Sequence, residues 1–589
     1  MSIKSSWRAA ASIISLCAPA SAFAQEDVIR DEIVVTASPL GRSSEQTIVG
    51  TTVVSGDDLA RNLDGSIGET LRRQPGISSS FFGPGASRPI IRGLGGDRIS
   101  ILDSGIGSID ASSTSPDHAV AVEPATAEKI EIVRGAATLL YGSSAAGGVV
   151  NIFSGKIANR LPEGGYDGSL RVGASTVDDG VEAAGGFDID LGKAGAGNIV
   201  FHGEGFYRNA GDYEIPGFAE SARLRAMETE SGETGGEEAF GVVRNTSLDT
   251  RGGAAGLSYV HDDGFFGFSG TAMNTDYGVP GHSHEGEEGG VTIALKQRRL
   301  DFDSEFDRDF FLFRKAKLRV GYADYTHSEI EPTGEIGTVF SNEGVEGRLE
   351  LVEKTSTFKG GDLNGAVGFQ WKIRDFSAIG DEAFVPPSKS RQFGVFSLKE
   401  FAAGPWRFEA GARYEHTRHD SPAIASPLSF NAYSVSAGVG YQPNDLLFLG
   451  VTGLRTERAP STEELFSNGP HLATGVFEVG DPTLGKETAR GVEATARVGS
   501  DAVSFTINGF YTSYKDFIFE NATGADIDVD GELIPEFRFE ATDAAFKGFE
   551  AQLDAELFHI GPFHIHSHLA ADFVRATAEN SPTGDFPRI

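Results

Sequence analysis

The chain has 589 residues, a formal net charge of −34 at pH 7 and 39% hydrophobic residues. Such an acidic surface repels phosphate backbones, so nucleic-acid binding is excluded as the expected function, whereas attraction of cations is favoured. After the N-terminal segment no apolar run reaches the length of about 18 residues that a membrane helix needs.

The first 24 residues are predicted to be a secretory signal peptide. Lys4 and Arg8 form a short positive region, an apolar stretch follows, and "AFA" at 22–24 supplies a small-x-small cleavage pattern. Cleavage after Ala24 would remove Cys17, the only cysteine. The mature chain would then have neither thiols nor disulfides, so a redox function is not expected.

Residues 49–155 mix helix and strand signals, after a flexible N-terminal stretch at 25–48. Ser66 and Glu69 have the spacing of a capping box, and Pro75-Gly76 stops the helix that they begin. "RISILDSG" and "KIEIVRGA" are short strand patterns followed by turn residues. This segment is predicted to be a small α+β domain.

From residue 160 onward the pattern has a period of two. "WRFEAGARYE", "GVEATARV" and "VSFTINGFY" each alternate apolar with polar or charged residues, and turns rich in Gly, Asp and Asn separate such segments. An array of β-sandwiches would also alternate. Full charges on the polar face and aromatic residues near the strand ends favour a large antiparallel membrane β-barrel over residues 160–589.

"GHSHEGEEGG" at 281–290 combines the two ligand types that zinc accepts from a thiol-free chain. Two interpretations stay open: a solvated acidic loop, or a low-affinity metal loop that concentrates ions above a pore. Its candidate ligands are His282, His284, Glu285, Glu287 and Glu288. A second histidine series, "HIHSH" at 564–568, fits a lumen-facing strand better than an ion relay.

Three further segments resemble the TonB-dependent outer-membrane receptors. "DEIVVTAS" at 31–38 is similar to a TonB box, and "RPIIRGLGGDRISILDSG" and "IEIVRGAATLLYGSSAAGGVVNI" resemble the plug domain of that family. The box residues are Glu32, Ile33, Val34, Val35 and Thr36. The resemblance implies an outer-membrane protein of a Gram-negative bacterium that works with TonB and its inner-membrane energising complex. It also implies that Arg92 and Arg134 of the plug meet barrel carboxylates.

The end of the chain departs from this family's pattern. At about 24 residues for each strand and loop, residues 160–589 allow roughly 18 strands, whereas large plugged transporters have about 22. The chain stops at "GDFPRI", which is typical of a turn. We therefore expect that C-terminal strands are missing, and that the first strand near 168–176 does not pair with the last near 564–574.

Within the family, the chain resembles the ZnuD-like zinc receptors. Four segments carry the likeness: "YGVPGHSHEGEEGGVTIALKQRRLD", "SPDHAVAVEP", "GEIGTVFSNEGVEGRLEL" and "NGPHLATGVFEVGDPTLGKE". The resemblance implies a high-affinity site of a plug Asp-His pair with a glutamate and a histidine from the barrel. The corresponding residues are Asp117, His118, Glu335 and His471, with Glu331 and Glu343 as nearby alternatives to Glu335.

Zinc or a related divalent metal is therefore the expected cargo, and no catalytic cofactor is expected. The same ligands would accept copper, nickel or cobalt, and a histidine can also ligate haem iron, so a haem or siderophore receptor remains the alternative. A porin or an adhesin would need neither a plug nor a TonB box. An enzyme is not expected, because the chain has no HExxH motif for a metallohydrolase.

Overall fold

The computed structural model describes most of the chain after residue 33. The described residues are 34–35, 39–43, 47–48, 50–223, 225–226, 239–281, 290–380, 383–471, 474–500, 502–529, 531–560, 563–578 and 586. The expected signal peptide lies outside them, as do Glu32, Ile33 and Thr36 of the expected TonB box. Val34–Val35 (β1) pairs antiparallel with Arg42–Ser43 (β2).

The plug is a small α+β unit, as its mixed pattern predicts. Its elements are β3 (Thr51–Ser55), α1 (Gly56–Asn62), α2 (Ile67–Leu71), β4 (Ile77–Ser79), β5 (Pro89–Ile91), β6 (Ile99–Asp103), β7 (Ile106–Gly107), β8 (Lys129–Val133) and β9 (Gly148–Phe153). Five strands form one sheet in the order β3-β8-β9-β6-β7. Short 3₁₀ turns lie at Gly96–Arg98, Pro124–Thr126, Gly135–Tyr141, Ser143–Ala145 and Glu163–Gly165.

Helix α2 begins where the sequence predicts. The Ser66 hydroxyl accepts a hydrogen bond from the Glu69 backbone N–H at 3.5 Å. The Glu69 carboxylate pairs with Arg72 Nε at 3.0 Å, one turn further on. Buried β-branched residues of β8 and β9, among them Ile130, Ile132 and Val150, form the core of the plug.

A single wall follows the plug, antiparallel except where Val476–Val479 pairs in parallel with Glu532–Ile560. Its strands and the elements in its loops are β10 (Tyr166–Ala174), β11 (Val181–Ala194), β12 (Gly197–Ala210), β13 (Tyr213–Phe218), β14 (Phe240–Val243), β15 (Leu248–His261), β16 (Gly264–Gly278), β17 (Thr292–Phe310), β18 (Phe313–Ile330), β19 (Ile336–Glu353), β20 (Ser356–Phe358), β21 (Gly361–Gly380), β22 (Ser388–Ala403), β23 (Trp406–Asp420), β24 (Leu428–Asn444), β25 (Leu447–Arg458), α3 (Thr462–Phe466), β26 (Asn468–His471), β27 (Val476–Val479), β28 (Glu487–Gly499), β29 (Val503–Val529), β30 (Glu532–Ile560) and β31 (Phe563–Ala578).

The wall is a 20-stranded sheet in chain order, in which β20, β26 and β27 are short, and β13 and β14 form a separate hairpin. The sequence-based estimate of roughly 18 strands is close to this number. Strands β10 and β31 lie at the two ends of the sheet, and no pairing joins them within the described residues. No helix in the described part of the chain is long and apolar enough to cross a membrane.

The period-two pattern places apolar side chains outside and charges inside. On β23, Trp406 and Phe408 are 45% and 46% exposed on the outer face. Arg413 and Glu415 of the same strand are buried and form an ion pair at 2.6 Å on the inner face. The outer surface therefore suits lipid, and the inner surface suits a polar plug.

Charged side chains join the plug to the wall. Arg92 Nε donates to Glu550 Oε1 at 2.8 Å, and Arg92 Nη2 donates to Glu493 Oε1 at 3.0 Å. Arg134 Nε lies 3.6 Å from Glu550 Oε1. The structure thus places both plug arginines against barrel carboxylates.

The backbone at this contact is unusual. Arg92 has a φ of 54°, a left-handed conformation that costs free energy for a residue with a side chain. Gly76, whose carbonyl accepts a hydrogen bond from the Arg92 N–H at 2.8 Å, has a φ of 73°. A Cβ at Gly76 would lie 2.1 Å from Glu550 Oε1, so only glycine allows the plug to approach the wall this closely.

Candidate metal centre

A loop of the plug supplies one carboxylate, from Asp117, and one imidazole, from His118, to a buried cluster. The loop starts at Ile109, whose φ of 52° is strained for a β-branched residue. The Gln297 side-chain amide fixes this turn by donating to the Ile109 carbonyl at 3.2 Å. Further along, Tyr277 donates to the Asp117 carbonyl at 3.0 Å and accepts from the Ala119 N–H at 2.8 Å. Asp117 and the adjacent His118 are thereby held in place.

The barrel wall supplies the third side chain. Strand β18 alternates buried and partly exposed positions, so Tyr325, His327 and Glu329 share the face that points towards the plug. Glu329 lies next to the last residue of the strand, Ile330, which a short turn connects to β19. This position brings the Glu329 carboxylate to the plug loop.

The fourth side chain comes from the connection between β25 and β28. Helix α3 begins with a reciprocal capping box between Ser461 and Glu464, which orders the start of this connection. His471 ends strand β26, which pairs with β27, and β27 in turn adds in parallel to β30. The Asn468 N–H donates to the Phe384 carbonyl at 2.7 Å, and the Phe384 ring stacks on His471 at 4.4 Å. The folded loop thus covers the plug with His471 facing inward.

Four ligand atoms meet at this point. One oxygen or nitrogen from each of Asp117, His118, Glu329 and His471 lies within 4.8 Å of the others, and the residues are 0 to 3% exposed. His118 Nε2 is 3.1 Å from Glu329 Oε1 and 3.7 Å from Asp117 Oδ2, and His471 Nε2 is 3.5 Å from Asp117 Oδ1. Two ligands of one tetrahedral zinc, each at about 2.0–2.2 Å, lie roughly 3.3–3.6 Å apart. The spacing therefore fits one ion with small adjustments.

Hydrogen bonds orient both histidines for ligation. His118 Nδ1 lies 3.2 Å from the Ala111 carbonyl oxygen, and His471 Nδ1 lies 3.0 Å from Glu478 Oε1. A carbonyl or carboxylate oxygen can only accept, so Nδ1 carries the proton in each ring. Once Nε2 has lost its proton, each ring directs the Nε2 lone pair at the cluster, which is the arrangement of metal-bound histidines. Asp117 Oδ2 and His471 Nε2 are buried without a hydrogen-bond partner.

Electrostatics keep the acid charged and favour protons on the imidazoles. Burial by itself would raise the pKa of Asp117, but attraction by His118 and His471 outweighs it and lowers that pKa. Burial would lower the pKa of His118, yet Asp117 and Glu329 raise it overall. The pKa of His471 is raised well above its ordinary value, because Asp117 and Glu478 outweigh the effect of burial. An incoming cation must therefore displace protons.

The structure corrects one expected ligand. Glu335 is exposed in the turn between β18 and β19, where its carbonyl accepts a hydrogen bond from the Glu331 N–H at 2.9 Å. It lies outside the cluster, and Glu329 occupies the position that was expected for it. Glu343 is also apart from the cluster and accepts a hydrogen bond from Tyr322 at 2.9 Å. The choice was wrong because the turn points Glu335 into solvent.

Glu329 had a signal in the sequence that pointed to it. "YTHSEIE" continues the alternation of β18, so the residues at 325, 327 and 329 share one face. Position 335 falls in "PTGE", a turn pattern that ends this alternation. The expected metal loop, with His282, His284, Glu285, Glu287 and Glu288, lies outside the described residues. His568 of the "HIHSH" series is half exposed and pairs with Asp554 at 2.6 Å, away from the cluster.

Family models match both parts of the chain. The model described as "TonB-dependent Receptor Plug Domain" matches residues 43–149, and "TonB dependent receptor-like, beta-barrel" matches residues 239–587. The second match alone covers more than half of the chain. The outer-membrane location that goes with this family agrees with the lipid-facing outer surface of the wall.

The similar proteins of known name differ in the ligand or regulation that their names state. The chain is 32% identical over 203 residues to a "Vitamin B12 transporter BtuB" of Photobacterium profundum, a match that covers 33% of this chain and only 31% of the relative. It is 23% identical over 568 residues to an "Iron-regulated outer membrane virulence protein" of Vibrio cholerae serotype O1, covering 92% of this chain and 78% of the relative.

A solved structure, "Copper transporter OprC", superposes with a TM-score of 0.69 at 15% identity and covers 90% of this chain and 79% of that one. At this identity the likeness shows the fold alone. With the plug filling a large barrel and both family models matching, the chain belongs to the TonB-dependent receptors, which are outer-membrane proteins of Gram-negative bacteria.

Proposed function

We propose that this receptor imports a divalent transition-metal ion, with zinc as the first candidate, and that TonB energises the import. The buried cluster of Asp117, His118, Glu329 and His471 carries the proposal. Its ligands come from the plug, the wall and a covering loop, so a bound ion would connect all three. A plug that TonB rearranges would then release the ion by separating its ligands.

The chemistry of the cluster favours zinc-like ions. Two imidazoles and two carboxylates form a tetrahedral nitrogen and oxygen set, which zinc accepts readily. Without a thiolate the site binds less tightly than a structural zinc site, and a transporter has to release its cargo. In the usual order of affinities for divalent metals, copper binds such a site more tightly than zinc does. Selection of zinc would therefore depend on the coordination geometry and on which metal is available to the cell.

An iron-containing ligand is the second candidate. The Vibrio relative is named as iron-regulated, and a histidine can ligate haem iron. Against it, His118 and His471 are almost completely buried, with ring centroids only 6.0 Å apart. A haem would need the covering loop to open before either ring could reach its iron.

Metal titration of the purified full chain tests the proposal. Calorimetry with a competing chelator should give one tight site for zinc, and weak or no saturable binding of haem, because only a bare ion fits between the four ligands. Glu329→Gln alters a proposed direct ligand and should weaken zinc binding by about 100-fold or more. This loss is larger than the one expected when a residue that only hydrogen-bonds to a ligand is removed. Glu335→Gln is the matched control and should leave the affinity unchanged. Tight haem binding with no zinc site would contradict the proposal.

Uptake tests the role of TonB separately. Val34→Pro removes a backbone donor from the expected TonB box and should disfavour strand addition to the partner. Cells that carry this variant should bind zinc at their surface with normal affinity but accumulate it slowly. Normal accumulation would show that the segment at 31–38 is not the contact with TonB.

A further inference from the structure

A third buried histidine lies beside the four ligands. His327 is on β18, two residues before Glu329, and is completely buried. Its Nε2 is 3.8 Å from Glu329 Oε1, and its ring centroid is 4.4 Å from that of His118. The ring therefore lies at the edge of the cluster and belongs to the same element as one of its carboxylates.

His327 is oriented in the same way as the two histidine ligands. Its Nδ1 lies 2.8 Å from the Tyr325 hydroxyl, just as the Nδ1 atoms of His118 and His471 are held by a carbonyl and a carboxylate. When Nδ1–H donates to the Tyr325 oxygen, Nε2 carries the lone pair. All three rings are thus held at Nδ1, and the Nε2 atom of each lies on the side of the cluster carboxylates.

Some of the unpartnered buried atoms belong to the cluster and to His327. Within the described residues, the buried side-chain atoms without a hydrogen-bond partner include Asp117 Oδ2, His471 Nε2 and His327 Nε2. Buried polar atoms normally have partners, so unpartnered atoms on two members of the cluster and on the adjacent His327 indicate a missing partner. His327 lies just outside the group of four whose ligand atoms are all within 4.8 Å of one another, so its ring has to move inward to reach the same ion.

We propose that His327 is a fifth ligand of the transported ion, which would then bind three imidazoles and two carboxylates. This inference rests on the proposed function of the cluster as a metal centre. Zinc can expand from four to five ligands, and several other divalent transition metals accept five or more. Because His327 and Glu329 lie on the same strand, the wall would keep two ligands on the ion while the plug ligands move away.

A purely structural role for His327 makes different predictions. Its ring stacks on Phe340 at 4.6 Å with an interplanar angle of 20°, so it could serve only as packing. Packing would be preserved by another flat ring and would leave the metal coordination unchanged.

Zinc X-ray absorption on the unaltered full chain measures the coordination directly. With one equivalent of zinc bound, the multiple-scattering signal should require three imidazoles, and the first shell should require five nitrogen or oxygen atoms. Two imidazoles in a four-atom shell would overturn the fifth-ligand proposal while leaving the metal centre intact. Failure to bind zinc, cobalt or copper at all would overturn both the fifth ligand and the proposed function.

Variants at position 327 give the second measurement. His327→Phe keeps an aromatic ring against Phe340, and His327→Gln keeps a polar side chain. In the cobalt-loaded protein both should make the visible absorption more intense, because four-coordinate cobalt absorbs more strongly than five-coordinate cobalt. Both should also weaken cobalt binding by about 10-fold or more.

A matched control uses another buried lumen histidine. His202 is held by Asp188 at 3.0 Å and Glu204 at 3.4 Å on strands far from the cluster, so His202→Gln should change neither the spectrum nor the affinity. Retention of the folded band on unheated gels would show that each variant has an intact barrel. Folded variants at 327 whose spectrum and affinity equal those of the unaltered protein would assign His327 to packing.

Discussion

Two buried polar clusters cross the boundary between plug and barrel, and they differ in how their atoms are partnered. At the first, which we call the arginine lock, Arg92 makes four hydrogen bonds to Glu493 and Glu550. At the second, the proposed metal centre, Asp117 Oδ2 and His471 Nε2 have no hydrogen-bond partner. Both clusters are almost fully buried, so solvent does not explain the difference.

The difference distinguishes a structural contact from the binding site that we propose. Opposite charges in the lock satisfy each other, so nothing further is needed to complete it. The proposed metal centre leaves Asp117 Oδ2 and His471 Nε2 buried without a hydrogen-bond partner, and a bound cation would supply one partner for both. Burial and charge alone would not distinguish the two clusters, whereas the hydrogen-bond partners do.

The largest expected effect comes from breaking the lock. Arg92→Met should destabilise the docked plug by about 3–5 kcal/mol, because it leaves the buried Glu493 without its partner and Glu550 with only Arg134 nearby. Hydrogen exchange of the plug strands measures the effect. Lys389→Met, which removes an exposed pair with Asp375, is the control and should cost at most about 1 kcal/mol. Unchanged exchange in Arg92→Met would show that the lock does not hold the plug.

Zinc bound at the proposed metal centre should stabilise the folded protein by about as much free energy as the arginine lock contributes. At about 1,000 times the dissociation constant, a ligand that binds only the folded state adds about 4 kcal/mol. Exchange of the plug loop around Asp117 should slow with zinc in the unaltered protein and stay constant in His471→Gln. Equal protection in both proteins would remove His471 from the set of ligands.

The partner of His471 offers a finer test. Glu478→Gln replaces the carboxylate that holds Nδ1–H with a neutral amide, and loss of such an outer partner typically weakens metal binding by about 10- to 100-fold. Zinc affinity measured by chelator competition should fall in this range. Glu536→Gln, which removes a charge from the neighbouring β30, should have no effect. A similar loss in both variants would indicate a general charge effect on affinity.

Binding should also depend on pH, with a defined sign. Because the pKa values of His118 and His471 are raised, both imidazoles hold their protons to a higher pH than an ordinary histidine does, and zinc must displace those protons. Affinity should therefore rise with pH up to the raised pKa values, by at most about tenfold per pH unit for each proton released. Asp117, with a lowered pKa, stays ionised and adds no dependence near neutral pH. Calorimetry in two buffers of different ionisation enthalpy counts the protons, and a count of zero would contradict this.

The smallest expected effect concerns the histidine-rich loop. Deletion of residues 282–288 should slow uptake at scarce zinc and leave the tight site unchanged, since none of the cluster's four ligands belongs to the loop. The control is a loop in which the same length is filled with Gly and Ser. An equal loss of tight binding on deletion would make the loop part of the main site.

The sequence by itself determined the architecture. Period-two alternation such as that of "WRFEAGARYE" depends only on the pleat of a strand, so it fixed which residues face lipid and which face the lumen. The plug segments were also recognisable as short motifs, but Asp117-His118 was named as a ligand pair through the resemblance to a family. His471 could be named only through the resemblance to a family.

Tertiary structure decided which carboxylate joins the cluster. Glu329 and Glu335 are six positions apart and chemically identical, but the strand ends at Ile330, so one faces the plug and the other faces solvent. The alternation of β18 also places His327 on the inner face of the wall. Only the tertiary structure shows that His327 packs against His118 and that its Nε2 is buried without a hydrogen-bond partner. The plug pair, Glu329 and His471 are more than 100 residues apart in the sequence, and no local pattern specifies that they meet in space.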